Sequence, residues 1–492
     1  MMNNSKQESL SVLSLNCWGL NIVSKERKFR LHAIADRISL EDYDIVALQE
    51  IWMRDDFEYM KAKVATKLPF TKYFSSGTLG SGLAILSRFP ILSSTYLKFT
   101  LAGRPLKILQ GDFYVGKGCG SVCVDHPEIG LVDIYTTHLH ACYDGKDEYE
   151  AQRITECWQI ANSVRASAAQ GRHVILAGDF NSIPTSNCYQ IIKNHAFVTD
   201  SWLEMHQDSM ADSLSRLERN QLSASDCIQL FGITCDSPLD TWTQHMLKQE
   251  AHSKNIGDRL DYIFYRRTPE ITCQQSTVVL EEYIPGTQWN YSDHFGVHSL
   301  FTINGHSNRA IGNFAPAPSQ LARPDFTKLL PSTLDTAVEI LALDQALAKT
   351  TASKNLVKSS LSLIAVFGLY VTQIVLPVMY KDDTNAMLLS SIICGFLMIV
   401  FSISAFVFLV VGFVFGGNEE RSLNQYTLDL RVCLETLQSQ IRRESLTSTE
   451  TSIPVGQCLT QDGSSFSSSY STNSTSEGLV IKHVEFPDSK KI

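Results

Sequence analysis

Val174-Ile175-Leu176-Ala177-Gly178-Asp179-Phe180-Asn181 is a buried-strand run that ends in a carboxylate and an amide two positions apart. Side chains two apart on an extended chain share a face, so Asp179 and Asn181 project together from the strand end. The same pattern recurs across residues 10–303. Ser11 to Asn16 is strand-like and ends on an amide. Asp44 to Gln49 is a short apolar strand closed by Glu50, and Leu260 to Phe264 is a buried run that carries Asp261. Between these lie helices: Glu26 to Leu40, amphipathic through Phe29, Leu31, Ile34, Ile38 and Leu40, and Asp147 to Ala169. Polar groups at strand ends, separated by helices, define an α/β sandwich whose loops converge at one edge of its sheets.

The 492 residues carry a net charge of −9, which argues against a protein that holds nucleic acid by neutralising phosphates. Twelve scattered cysteines include no CxxC pair, so structural zinc is not expected and a reducing cytosol is the default setting. The polar segment 1–9 has neither the apolar core of a secretory signal nor the Arg-rich pattern of a transit peptide.

After residue 303 the composition changes. Residues 304–332 hold Pro316, Pro318, Pro324 and Pro331 and read as a linker, and 333–358 as a juxtamembrane helix. Segments 359–380 and 386–416 are free of charge, each long enough to cross a bilayer core, and the five residues between them form a hairpin turn. Lys349, Lys354 and Lys358 before the first segment and Arg421 after the second place both flanks in the cytosol. The endoplasmic reticulum is the first expectation for the membrane and the outer mitochondrial membrane the second. On this reading, deleting the chain beyond Pro331 releases a soluble catalytic unit. Residues 419–444 carry a stripe (Leu423, Tyr426, Leu430, Cys433, Leu437) that suits either a coiled-coil partner or a membrane surface. The Ser/Thr-rich tail 445–492 reads as disordered.

The polar strand ends suit phosphodiester hydrolysis, which needs charge neutralisation at phosphorus, a base for water and help for the leaving alkoxide. A hard divalent cation on one or two carboxylates meets the first need, with Glu50, Asn16 and Asp293 as candidate ligands. His294 is the candidate base, with its tautomer fixed by Asp261, because Asp293 is adjacent on the strand and points the other way. His138 suits a phosphate contact. His140 has an equal claim to a structural role, and the pair lacks a third zinc ligand nearby. Asp179 and Asn181 suit orientation of water and a phosphoryl oxygen. Gly111 to Gly118 nearly matches a nucleotide P-loop, but Gly118 replaces the required hydroxyl, which leaves Lys117 as an anion contact.

Taken in order, Asn16-Cys17-Trp18-Gly19, Gln49-Glu50-Ile51-Trp52, Gly80-Ser81-Gly82-Leu83, Gly103-Arg104-Pro105 to Lys117, Thr137-His138-Leu139-His140-Ala141 and Ser292-Asp293-His294 resemble neutral sphingomyelinases with two C-terminal membrane spans. These belong to the endonuclease/exonuclease/phosphatase superfamily. Thr234-Cys235-Asp236-Ser237-Pro238-Leu239-Asp240-Thr241-Trp242 is similar to the fungal branch, the inositol phosphosphingolipid phospholipases C. The resemblance implies a four-layer, deoxyribonuclease I-like α/β sandwich. It also implies Mg²⁺-dependent release of ceramide from a phosphosphingolipid, and activation by anionic phospholipids. It places Glu50 and Asn16 at the metal, Asp179 and Asn181 around the phosphate and water, His138 opposite His294, and Asp112 and Lys117 in substrate recognition. A Mg²⁺-dependent nuclease and a non-catalytic membrane scaffold are the competing readings.

Overall fold

Side-chain parity along the strands builds the molecule. The computed structural model describes residues 8–21, 23–142, 147–207, 223–243, 257–304, 329–379 and 383–450. Among these, the strands are β1 (Glu8–Asn16), β2 (Ile45–Gln49), β3 (Phe70–Phe74), β4 (Leu83–Ser87), β5 (Ile91–Lys98), β6 (Gly118–His126), β7 (Gly130–His138), β8 (His173–Asp179), β9 (Thr199–Asp200), β10 (Asp261–Tyr265), β11 (Ile271–Val279) and β12 (Gly296–Ile303). They form two six-stranded sheets, ordered β11-β12-β1-β2-β4-β3 and β5-β6-β7-β8-β10-β9. Each sheet has one parallel pair, β1 with β2 and β7 with β8, and is otherwise antiparallel.

Alternate residues of each strand face the other sheet. Leu10, Val12, Ile45, Ala47 and Ile85 meet Val132, Ile134, Ile175, Ala177 and Ile263 in the middle layer. The opposite faces turn outward. Leu13, Leu15, Val46 and Leu48 pack on helices α1 (Arg27–Leu40) and α2 (Arg54–Val64) through Leu31, Ile34, Phe57 and Met60. The short α3 is Asp112–Val115, and α4 (Glu150–Ala169) covers Val174, Leu176, Tyr262 and Phe264. Helix, sheet, sheet and helix are thus the four expected layers. Smaller elements are α5 (Asn187–Gln190), continued by a π-turn over Ile191–His195, and α6 (Ala224–Phe231). In α1 the buried face runs through Arg30, Leu31, Ile34, Ala35 and Ile38, while Phe29 and Leu40 are exposed.

The C-terminal helices are longer than the sequence divides them. Helix α7 (Pro331–Met379) runs unbroken through residues 333–358 and 359–379. Helix α8 (Thr384–Leu409) passes through a π-turn over Val410–Phe415 into α9 (Gly416–Glu450), so segments 386–416 and 419–444 are one rod. Both rods are long and apolar enough to cross a membrane. They pack antiparallel: Ser359 Oγ donates to Ala405 O at 2.8 Å, and a Cβ on Gly416 would lie 2.7 Å from that of Ala352. Residues 1–7, the linker residues 305–328, the turn 380–382 and the tail after Glu450 lie outside the described residues.

The leucines of the stripe on α9 pack within the chain itself. Leu423, Leu430 and Leu437 are buried with Leu334, Ala337 and Leu341 of α7 in the same core that α4 shares with the second sheet. The layer beside the second sheet and the C-terminal rods therefore share one hydrophobic cluster, part of which deletion beyond Pro331 would expose to water. Replacing a fully buried leucine by alanine removes transfer energy and leaves a cavity. Leu430→Ala should lower stability by about 2–5 kcal/mol, read as a fall in the thermal unfolding midpoint, whereas Leu428→Ala, at an exposed position of the same helix, should not.

Candidate active site

The inward-facing series of five strands end in polar residues at one rim. Asn16 continues Leu10, Val12 and Ser14; Gln49 continues Ile45 and Ala47; His138 continues Val132, Ile134 and Thr136; and Asp179 continues Ile175 and Ala177. Asp261, opposite Asp179 across the β8–β10 pairing, opens the series of Ile263 and Tyr265. A binary pattern that fills the middle layer with Val, Ile and Leu thus delivers amides, carboxylates and imidazoles to its open edge. Below them, Gln49 Nε2 donates to Thr136 Oγ1 at 3.0 Å, a polar bond between the sheets. Close approach is built in as well. A Cβ on Gly178, at φ 150°, would fall 2.2 Å from the Thr137 carbonyl oxygen.

The rim side chains join into one network. Asn16 Nδ2 donates to Asp179 Oδ2 at 2.9 Å and to Glu50 Oε1 at 3.1 Å, while its Oδ1 accepts from the Trp18 amide at 3.0 Å. His294 Nδ1 meets Asp261 Oδ2 at 2.8 Å, and its Nε2 lies 3.9 Å from Asp179 Oδ2 and 3.4 Å from Cys235 Sγ. His138 Nε2 stands 3.6 Å from Asp179 Oδ2. The Asn181 amide N–H donates to Asp179 Oδ1 at 2.9 Å. Asp179 is therefore the hub, with Asn16 and Glu50 on one side and His138, Asp261 and His294 on the other. Asp293 adjoins Ser292, whose hydroxyl donates to the Asn16 carbonyl at 2.7 Å. Trp18, Glu50, Asn181 and Asp236 all hold positive φ. Such conformations cost about 1–3 kcal/mol each outside glycine and persist where the surroundings fix them.

Lys117 and Asp112 approach from behind. Lys117 Nζ pairs with Asp112 Oδ1 at 3.0 Å and donates to the Leu139 carbonyl at 2.7 Å, and Asn181 Nδ2 donates to that same carbonyl at 3.1 Å. His140 Nε2 lies 3.4 Å from Asp112 Oδ2, and the ring stacks on Tyr149 with centroids 3.9 Å apart. The ammonium thus braces Asn181 through Leu139, and His140 belongs to that brace rather than to the rim. Of the residues expected at the site, Asn16, Glu50, His138, Asp179, Asn181, Asp261, Asp293 and His294 line the cleft edge, whereas Asp112 and Lys117 are one layer removed.

The electrostatics are those of crowded acids. Burial raises the pKa of Glu50 and of Asp179, whose neighbour Asp261 adds to the effect. Asp293 is pushed up to about 7 by burial, with His294 opposing and Glu50 and Asp240 adding. Burial alone would lower His294, but Cys235, Asp261 and Asp179 outweigh it and hold the ring well above its ordinary value. Burial keeps His138 well below its own, with Lys117 acting in the same sense.

A divalent cation suits this donor set. Asp179, Asp261 and His294 present ligand atoms within 4.8 Å of one another, and Asp261 Oδ1 has no hydrogen-bond partner among the described residues. Clustered carboxylates with raised pKa values are what a hard cation stabilises in their charged form. Asp261 and His294 are bonded to each other, so of this cluster Asp179 is the carboxylate left to a cation, and the Asn16 amide joins it to the expected Glu50.

Sequence reasoning missed Arg30. Its guanidinium is buried and donates to the carbonyls of Lys25, Cys17, Trp18 and Tyr291, while Trp18 and Trp242 flank it. It ties the loop after β1 to the segment before β12. The signal was its place on the apolar face of α1, four residues before Ile34. Cys235 was noted only as part of a motif, and only the tertiary fold brings it to His294.

Two sheets whose strand ends gather acids and imidazoles around one carboxylate suit a phosphoester hydrolase with a candidate site for a divalent cation. The comparisons agree: the Endonuclease/Exonuclease/phosphatase family matches residues 13–294, more than half of the chain. An inositol phosphosphingolipids phospholipase C from Schizosaccharomyces pombe is 35% identical over 347 residues, 70% of this chain and 78% of that one. Human sphingomyelin phosphodiesterase 2 is 31% identical over 258 residues, 52% of this chain and 56% of that one. Among solved structures, a beta toxin from Staphylococcus aureus aligns at TM-score 0.45 and 16% identity, covering 59% of this chain and 99% of that one. The chain belongs to the neutral sphingomyelinase and inositol phosphosphingolipid phospholipase C family, and is a phosphodiesterase.

Asp261→Asn tests the dyad. Removing the carboxylate that fixes the imidazole tautomer should lower kcat by roughly 10²- to 10⁴-fold, with far-ultraviolet circular dichroism unchanged. A variant with full turnover would separate Asp261 from the chemistry.

Proposed function

We propose that this enzyme carries out a Mg²⁺-dependent, phospholipase C-type hydrolysis of phosphosphingolipids, inositol phosphorylceramide or sphingomyelin, to ceramide and the phosphorylated head group. The observation that carries the reading is the Asp261–His294 dyad aimed at Asp179, on a rim where the Asn16 amide ties Asp179 to Glu50. The relatives named above act, by their names, on inositol phosphosphingolipids and sphingomyelin. Mg²⁺ held by Glu50, and by Asn16 with its Oδ1 turned from the Trp18 amide toward the ion, with Asp293 nearby, would neutralise the phosphoryl oxygens.

The chain's own groups divide the remaining work. Asp261 accepts from His294 Nδ1–H and turns Nε2 to the cleft. Once the charge of the surrounding carboxylates is neutralised, the ring loses what holds its pKa up and Nε2 can take a proton from water. The water attacks phosphorus as the bond to the ceramide oxygen breaks, and the departing alkoxide takes a proton from solvent to leave as the alcohol. Asp179 and Asn181 orient water and phosphate. His138, kept neutral by burial, offers a hydrogen bond to the phosphoryl group from the opposite side. Lys117 and Asp112 contribute to substrate recognition by setting Asn181 through the Leu139 carbonyl.

The two apolar rods form a membrane hairpin in this reading, with the catalytic layers and the tail on the cytosolic face. The endoplasmic reticulum is the favoured membrane and the outer mitochondrial membrane the alternative. Anionic phospholipids are the expected activators.

Purified full-length protein should release ceramide from labelled inositol phosphorylceramide or sphingomyelin in mixed micelles. Chelation should abolish turnover and added Mg²⁺ should restore it. Glu50→Ala and His294→Ala should each lose at least about 10²-fold. Cleavage of plasmid DNA without ceramide release would instead make the protein a nuclease.

A further inference from the structure

The loop between β5 and β6 contains side chains that the chemistry does not use. Leu106, Ile108 and Leu109 are 46%, 66% and 103% exposed, three large aliphatic groups within four positions. Single exposed apolar residues are ordinary, but a contiguous set marks a surface that something covers.

The flanks of this loop are fixed to the C-terminal rods. Arg104 pairs with Asp344 of α7 and Glu419 of α9, both at 2.9 Å. Phe113 meets Phe415 edge-on, with centroids 5.2 Å apart, where the apolar rod gives way to charged α9. From that point toward the hairpin tip, Phe413, Leu409 and Phe406 are all exposed. The bare apolar surface of the rod therefore runs up to Phe415, whose ring meets the α3 residue just beyond the loop. On the other side, α3 carries Asp112 to Lys117 and His140, so one turn of helix separates the loop from the brace behind the catalytic rim.

We propose that Leu106, Ile108 and Leu109 insert into the interfacial layer of the bilayer that the hairpin crosses, as a lipid-contacting lip beside the active site. The occupant is a lipid surface because the patch adjoins the end of the membrane rod. Arg104 is paired with Asp344 and Glu419, and Lys107, between Leu106 and Ile108, with Glu148, so both cations of the loop already have carboxylate partners. The lip holds the catalytic rim at the depth of the lipid phosphodiester and shortens the distance a lipid must rise to reach it. The proposal rests on the membrane reading of the hairpin.

The test uses full-length protein in phosphatidylcholine vesicles, labelled with an environment-sensitive fluorophore at Leu109→Cys or, as a control, at Leu92→Cys, an exposed position on β5. Both carry Cys142→Ser, because Cys142 is exposed. The label at 109 should shift to the blue and be quenched by spin-labelled lipids; the label at 92 should do neither. Equal quenching at both positions overturns the lip. A blue shift at 109 without lipid quenching also overturns it, because a protein surface then covers the loop. Carbonate extraction run alongside separates the two ideas. Protein that stays in the membrane while its 109 label is unquenched refutes the lip alone, whereas protein removed by carbonate refutes the spanning hairpin and the lip with it. Leu106→Ser/Ile108→Ser/Leu109→Ser should raise KM for vesicle-borne lipid roughly tenfold, about 1.4 kcal/mol, and leave kcat unchanged. An unchanged KM refutes the lip's part in substrate capture.

Discussion

The hydrogen bond from Asn16 to Asp179 is the constraint on which the site depends. Asn16 ends a strand of the first sheet and Asp179 a strand of the second, so this single amide turns two rims into one cleft. The same amide holds Glu50, and the same carboxylate faces His138 and His294. With the amide between them, two acids can sit at one edge without direct contact. The buried Gln49–Thr136 contact beneath is a second polar tie between the sheets, which sets their spacing below the point where chemistry requires it.

Much of this arrangement was legible in the residues. Asn16, Asp179 and Asp261 bound buried apolar runs, which is enough to place them at one edge of the sheets; which face they take was not legible, because β1 and β8 are apolar in both phases. The separation of Asp261 from Asp293 followed from side-chain parity along a strand. The charge-free C-terminal runs were visible for the same reason that they are apolar throughout. Strands β3, β5 and β11 were harder to see. Ile91 to Lys98 is a largely exposed strand whose Ser and Thr content reads as loop, because its outer face meets water and carries no apolar alternation.

Other features lay beyond one-dimensional reading. The heptad stripe of α9 states that a helix has an apolar seam but not what fills it; its partners, α4 and α7, come from the chain itself. Lys117 offered a positive charge near a phosphate-handling site, yet the ammonium is committed to Asp112 and the Leu139 carbonyl. A sequence shows which groups are present, whereas the number of hydrogen bonds each has already made is a property of the packed interior. Arg30 is the clearest case. A buried guanidinium that satisfies four carbonyls does the work of a loop clamp, and its charge also lies among Glu50, Asp240 and Asp293.

The continuity of α7 and α9 with the core beside α4 bears on how such an enzyme would find its target. With both rods packed onto the layer behind the second sheet, the cleft has no swivel relative to the hairpin, and its height and tilt over a leaflet become properties of the fold. Where the rods cross a bilayer, as proposed above, encounter occurs in two dimensions. Turnover should track how many substrate molecules share the leaflet area around each protein, rather than their number per volume of cell.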